Sequence, residues 1–314
     1  MDNNNEFDYT DDVQAGHIAA NIIDKSNITK KSSKENSKHD PYDIGVEITG
    51  KAPVVVLFGG YQSGKTMILV RLARYLRKNG YSVKPNGSFR DSTDTNYEEM
   101  CRLFESSVYS EYAAEATSVL NFMLLDVFEG GGGPLICRIL EAPGEDYFHP
   151  NNPDRQWKPY IDYIRDNENF HKVWIFIVEI DWKLETSDLK DGQLREKYAA
   201  KIAKMRNEIK DKDRIILMCN KMDGRHKDVF YHKGYPNKRE VYGKIKEQYS
   251  AIFESNKNTN PIKRFLSPYN IDFIAFSSGE FYNTEGRKRY KASEDFYPRN
   301  LWRTIYRNVK GRWF

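Results

Sequence analysis

Eight consecutive residues carry the most specific chemistry in the chain: Gly59, Gly60, Tyr61, Gln62, Ser63, Gly64, Lys65 and Thr66. A glycine-rich loop can turn its backbone N–H groups inward onto an anion. Lys65 is spaced to reach the outer phosphates of a polyphosphate, and the Thr66 hydroxyl to ligate Mg²⁺. Such a loop needs a strand to deliver it and a helix whose N-terminal dipole faces the same anion. The sequence supplies both. Residues 53–58 read Pro-Val-Val-Val-Leu-Phe, a buried strand, and the apolar spacing from Met67 onward predicts a helix over 64–79, with Gly80 placed to stop it.

Three further groups each follow a predicted strand. Glu141-Ala142-Pro143-Gly144 comes after an apolar run at 134–140. In open α/β sheets ligands lie beyond the carboxyl ends of the strands, so Glu141 could hold Mg²⁺ through a water and Gly144 could offer its N–H to a terminal phosphate. A solvated turn explains an acidic residue there equally well. Asn220-Lys221-Met222-Asp223 follows the apolar run 214–219. The Asp223 carboxylate suits guanine, which presents two donors on one edge, at N1 and N2, where adenine presents no such pair. Asn220 can hold the purine side of a pocket and the Lys221 stem can lie on the ring. Ser277-Ser278-Gly279 follows 272–276, where a backbone N–H could meet the guanine O6.

The elements that would position these groups alternate along the chain. Strands are predicted at 54–58, 119–128, 134–140, 172–178, 214–219 and 272–276, and helices at 96–107, 157–165, from about Asp188 to 210, at 241–255 and at 299–309. The glycine run 130–133 makes 119–140 a hairpin. The fold class is therefore α/β: a three-layer arrangement around a mostly parallel sheet of about six strands with one antiparallel hairpin strand. Residues 1–45 read as a flexible polar tail, with a short amphipathic helix near 15–23. Residues 46–314 read as one domain with inserts near 89–113, 224–239 and 279–293.

Composition narrows the classes. The 314 residues are 39% hydrophobic and 30% charged, with a net charge of +4, too modest an excess to imply a nucleic-acid partner by itself. Cys101, Cys137 and Cys219 have no metal-ligand spacing and fit free thiols in a reducing compartment. The acidic, polar start has no basic or apolar signal features, and no apolar run reaches the roughly 18 residues of a spanning helix. A cytoplasmic protein is expected.

The glycine loop and the Asn220–Asp223 motif, in this order and strand context, resemble the Ras-like P-loop GTPases of the translation-factor-related (TRAFAC) class. Glu141-Ala142-Pro143-Gly144 is similar to their Asp-x-x-Gly motif, and Ser277-Ser278 to their final Ser-Ala motif. The resemblance runs from about residue 53 to the C-terminus. It implies GTP or GDP and Mg²⁺ as ligands, with the whole 59–66 loop, Asn220, Lys221, Asp223, Ser277 and Ser278 around the nucleotide and Thr66 and Glu141 toward the metal. It also implies a mobile threonine that closes over Mg²⁺ and the terminal phosphate. Thr117 fits that place best, with Ser118 and Thr95 as rivals. Single-domain GTPase-like chains of this kind occur in multi-protein bacterial systems, so a separate protein effector or regulator is implied.

Departures from the pattern bear on catalysis. Glu141 stands where the family has aspartate. Glu145 stands where many relatives carry a water-orienting glutamine. Tyr61 stands where Ras has a glycine that admits an arginine finger. Lys65, Thr117, Gly144 and Glu145 form the expected catalytic set, His149 is a further candidate for orienting water, and slow hydrolysis follows. The segments 224–239 and 285–291 are basic and carry aromatics, and could form one positive rim near the base with weak nucleic-acid contact. Two other functions stay open: a nucleotide-holding structural subunit with little turnover, and an ATP-using P-loop enzyme.

Overall fold

A computed structural model describes residues 48–90, 95–110, 122–184, 187, 189–222, 230–232, 235–284 and 287–311. The elements run β1 (Val54–Phe58), α1 (Lys65–Lys78), β2 (Ser82–Pro85), α2 (Thr95–Tyr109), β3 (Met123–Phe128), β4 (Leu135–Glu141), α3 (Gly144–Tyr147) and α4 (Pro159–Asp166). They continue with β5 (Lys172–Val178), α5 (Asp191–Glu208), β6 (Arg214–Cys219), β7 (Tyr231–His232), β8 (Tyr235–Pro236), α6 (Lys238–Gln248), α7 (Ser250–Ser255) and α8 (Pro261–Leu266). The last are β9 (Asp272–Ala275), β10 (Gly279–Thr284), β11 (Arg287–Ala292) and α9 (Phe296–Lys310).

Seven strands form the main sheet, in the order β2-β3-β4-β1-β5-β6-β9. Pairing is parallel from β4 across β1, β5 and β6 to β9, while β3 runs antiparallel to β2 and β4. The central strands are buried at every position of β1 and β5, which is why β1 and, after Lys172, the rest of β5 read as unbroken apolar runs. Parallel pairing has a direct consequence for function. The loops after β1, β4, β5, β6 and β9 all leave the same edge of the sheet, so all four sequence motifs emerge on that edge.

The three-layer α/β class expected from the sequence is the class observed, with differences of detail. The sheet has seven strands because Ser82–Pro85 adds an edge next to β3. Its Pro85 and Lys84 disguise it in the sequence, and both are tolerated on an edge. The helix expected over 241–255 is two helices, α6 and α7, broken at Tyr249, where φ is −128°. The Tyr249 ring is buried there and its hydroxyl donates to the Glu179 carbonyl at 2.7 Å, so a tertiary contact overrides helical continuity. β10 and β11 (Gly279–Thr284 and Arg287–Ala292) pair antiparallel, where only an insert was expected. Helix α5 starts at Asp191 behind Lys190, and Asp188, expected as its cap, lies outside the described residues. The tail 1–45 and residues 224–229 also lie outside them.

No helix among the described residues is long and apolar enough to cross a membrane. Cys137 and Cys219 are buried free thiols, and Cys101 is a half-buried one.

At the amino end of β5 a lysine sits fully inside. The Lys172 ammonium lies 3.7 Å from the Asp213 carboxylate, and both side chains are inaccessible. It also donates to the carbonyls of Arg165 at 3.1 Å and Asn167 at 2.6 Å, while Trp174 Nε1 donates to Asp213 at 3.4 Å. Removing one partner strands the other's charge away from water. Lys172→Ala should cost about 3–5 kcal/mol in equilibrium denaturation, and the double change Lys172→Met with Asp213→Leu should recover most of that loss.

Candidate functional site

The glycine loop is set by what lies beneath it. Phe58, the last residue of β1, packs on Tyr147, Trp157 and Phe176 with ring centroids 4.5, 5.7 and 5.2 Å away. The chain then turns, with Ser63 N–H donating to the Gly60 carbonyl at 3.3 Å and with Gln62 and Gly64 both in the left-handed region, at φ 57° and 79°. Trp182 lies against Gly60, in an aromatic cluster with Phe148 and Tyr198 whose centroids are 5.0 to 5.9 Å apart. The Tyr198 hydroxyl donates to the Ile177 carbonyl at 2.8 Å. Sequence reasoning missed this floor under the loop; its only trace is a tryptophan shortly after the β5 strand signal.

Lys65 is buried, and its ammonium donates to the carbonyls of Gly59 at 3.1 Å and Gly60 at 3.4 Å. Burial lowers its pKa, opposed by the negative charges of Glu141, Glu145 and Asp146. The Thr66 hydroxyl donates to Glu141 Oε1 at 2.5 Å. Glu141 ends β4 and is buried. Burial pushes its pKa up to about 7 against the pull of Lys65 and the Thr66 hydrogen bond.

The loop after Glu141 lies directly on the glycine loop. A Cβ at Gly144 would fall 2.6 Å from the carbonyl carbon and oxygen of Gly60 and 2.7 Å from the Tyr61 nitrogen. Only glycine permits that approach. Glu145 beside it is half-buried, and Asp146 is buried and accepts from the Tyr160 hydroxyl at 3.1 Å. His149 is half-buried, and its Nδ1 has no hydrogen-bond partner among the described residues. Tyr61 is 39% exposed, on the outer side of the loop.

The third motif reaches the first by one hydrogen bond. Asn220 Nδ2 donates to the Ser63 carbonyl at 2.8 Å, while its own N–H is held by the Val178 carbonyl at 2.8 Å. Lys221, with φ 57°, places its ammonium 3.0 Å from Glu179, a buried carboxylate whose pKa is raised by burial. Met222 N–H donates to the Phe276 carbonyl at 3.2 Å, which brings the fourth motif alongside, and Ser277 and Ser278 are both buried. Asp223 and Thr117 lie outside the described residues, as does Ser118. Thr95, the other rival, opens α2.

Buried polar atoms at this edge with no hydrogen-bond partner among the described residues include Ser63 Oγ, Glu141 Oε2, Asn220 Oδ1 and Ser277 Oγ, besides His149 Nδ1 and the Tyr147 hydroxyl. Buried polar atoms of native proteins are ordinarily paired, so orphans gathered in one place fit a site that takes a polar ligand. No group of three or more His, Cys, Asp or Glu is assembled for a metal among the described residues. One hydroxyl and one carboxylate match the way Mg²⁺ binds, through few protein oxygens together with waters and phosphates. A separate groove of about 310 Å³ lies at the amino end of β9, lined by Lys238, Asp272, Asn300, Arg303 and Arg307 among others.

A glycine loop joining the central strand to its helix, at the carboxyl edge of a parallel sheet covered by helices, defines a three-layer P-loop-type α/β architecture. No protein-family model matches the chain, and no curated protein does. Solved structures similar to it include a nucleolar GTP-binding protein 1 from Plasmodium falciparum, at 12% identity and a TM-score of 0.39, covering 84% of this chain and 89% of that one. The signal recognition particle receptor SRb-GTP/SRX complex from Chaetomium thermophilum is similar at 11% identity and a TM-score of 0.36, covering 82% and 99%. The S. cerevisiae Ski7 GTPase-like domain bound to GDP and inorganic phosphate is similar at 13% identity and a TM-score of 0.36, covering 83% of this chain and 50% of that one. At these values the likenesses assign neither family nor activity, and the fold rests on its own topology.

Glu141 gives this edge a pH dependence of known sign. Its folded pKa, about 7, lies above the unfolded value of 4.5, so the folded protein binds the extra proton between them. The stability this confers is complete below the lower value and is lost as pH rises through the upper one. In ligand-free, metal-free protein, Glu141→Gln should be more stable than the parent at pH 8 by on the order of 1–3 kcal/mol and should flatten the profile between pH 5 and 8. Chemical denaturation across that range checks it.

Proposed function

We propose that the chain is a guanine-nucleotide-binding switch protein and a slow Mg²⁺-dependent GTP hydrolase that acts on a protein partner. The single observation that carries this reading is the Asn220 to Ser63 hydrogen bond, which ties the motif suited to a purine to the loop suited to its phosphates.

The residues then take the following roles. The backbone N–H groups of 59–66 and the Lys65 ammonium hold the phosphates, the ammonium leaving the Gly59 and Gly60 carbonyls to do so. Asn220 and the Lys221 stem bound the purine, Asp223 reads its N1 and N2 donors, and Ser277 and Ser278 close its O6 side. Thr66 and Glu141 hold Mg²⁺, with Thr117 joining them, and Gly144 offers its N–H to the terminal phosphate. Bound Mg²⁺ supplies charge neutralisation at the phosphates. Glu145 lacks the donor that an orienting amide would bring, and the Tyr61 ring crowds the approach of an arginine from a partner, so turnover is slow. Effector output belongs to a separate protein, and the basic segments 224–239 and 285–291 give it, or weakly a nucleic acid, a positive rim to meet.

A subunit that holds nucleotide without turning it over is the second reading, favoured by the same Tyr61 and Glu145. It would show tight GTP binding and no phosphate release.

Binding of labelled GTP to purified protein, with and without Mg²⁺ and in competition with ATP, tests the proposal. GTP should compete at least tenfold better than ATP. Lys65→Ala should weaken GTP binding about 100-fold, the scale of a lost charge-assisted contact. Asp223→Asn should abolish most of the preference for GTP over ATP and leave phosphate-driven affinity in place. Equal competition by ATP, or parent-like binding in both variants, overturns the reading.

A further inference from the structure

The β10–β11 hairpin follows the Ser277-Ser278 loop immediately, and its far end folds back onto that loop. Ser293, just past β11, donates its hydroxyl to the Ser277 carbonyl at 2.6 Å and its N–H to the Ser278 carbonyl at 3.1 Å. The buried Tyr290 hydroxyl also donates to the Ser278 carbonyl. Gly279, at φ 140°, makes this closure possible, since a Cβ there would sit 2.2 Å from the Lys291 carbonyl. The hairpin is therefore fitted to the loop along its backbone.

The same contact point is anchored to the helix behind the glycine loop. Arg71 of α1 is 4% exposed. Its guanidinium donates to the Ser293 hydroxyl at 3.3 Å, to the Ser293 carbonyl at 2.7 Å and to Asp295 at 2.7 Å. Lys78, two turns further along α1, holds the other Asp295 oxygen at 2.8 Å. Arg74, between them, lies over the Tyr290 ring at 5.2 Å. One face of α1 thus grips both ends of the brace.

A planar trans peptide points its C=O and the following N–H in opposite directions. Holding the Ser277 carbonyl toward Ser293 therefore aims the Ser278 N–H away from the hairpin, and holding the Ser278 carbonyl fixes the next plane as well. We propose that Tyr290, Ser293 and Arg71 are positioning residues that fix the Ser278 N–H for the O6 of the bound base. They thereby make base discrimination, rather than phosphate affinity, depend on the hairpin. The inference rests on the guanine-nucleotide reading above.

The test compares GTP with 2-aminopurine riboside triphosphate, which has the same phosphates and the N2 amine but lacks O6 and, with it, the N1 proton. The N1 loss is common to every variant compared, so only a change in the ratio between variants reports on O6. Binding of both, with Mg²⁺, is measured for the parent, for Tyr290→Phe and for Ser293→Ala. Tyr290→Phe keeps the ring under Arg74 and removes only the hydroxyl. The parent should prefer GTP, and the preference should fall about three- to tenfold in each variant while affinity for the O6-lacking analogue stays within about twofold. Simple loss of stability would weaken both ligands together and leave their ratio unchanged. An unchanged ratio beside a parent that does prefer GTP overturns the brace and leaves the nucleotide reading standing. A parent that binds neither triphosphate overturns the nucleotide reading, and the brace with it.

Discussion

The side-chain amide of Asn220 and the carbonyl of Ser63 belong to loops on different strands, and the hydrogen bond between them sets the distance between those loops. Both groups are buried, so breaking the bond would leave a polar atom without water or partner. The bond fixes how far the loop after β6 stands from the loop after β1. Much else follows from keeping that distance. The aromatic floor of Phe148, Trp182 and Tyr198 keeps the glycine loop from sinking. Parallel pairing of β1, β5 and β6 keeps the strand ends level. The Met222 to Phe276 hydrogen bond extends the alignment to β9.

Electrostatics at this edge are unresolved within the protein alone. A cation and three carboxylates share a small volume, with Lys65 turned back on the loop's own carbonyls and Glu141 held by the Thr66 hydroxyl while burial raises its pKa. Both arrangements use the protein's own groups where stronger partners would serve. A polyphosphate would recruit the ammonium, and a divalent cation the carboxylate, so the two ligands reinforce each other through groups already adjacent.

How much could be read from residues alone varied with physical cause. Strands β5 and β6 were legible because, past a single basic residue at the start of each (Lys172, Arg214), a strand buried on both faces is apolar and its end is where polarity returns. The strand–glycine loop–helix arrangement was legible because glycines and a left-handed turn end the apolar strand and the helical spacing begins directly after them. The edge strand Ser82–Pro85 was not, since an edge exposes one side and tolerates proline and lysine. Nor was the break at Tyr249, which depends on a carbonyl 70 residues away, at Glu179. The β10–β11 hairpin hid behind its charge: its basic residues read as a solvated insert, and its hold on Ser277 and Ser278 runs largely through backbone carbonyls, which carry no sequence signal.

The position of β1 also bears on synthesis. Its neighbours are β4 and β5, so Val54–Phe58 finds its first sheet partner only when residues 135–141 exist and its second only when 172–178 do. Until then five consecutive large apolar residues, preceded by a single proline, leave the ribosome as an unpaired strand. Such segments pair readily with one another. The residues that deliver the glycine loop are therefore also an exposed apolar segment while the chain is being made.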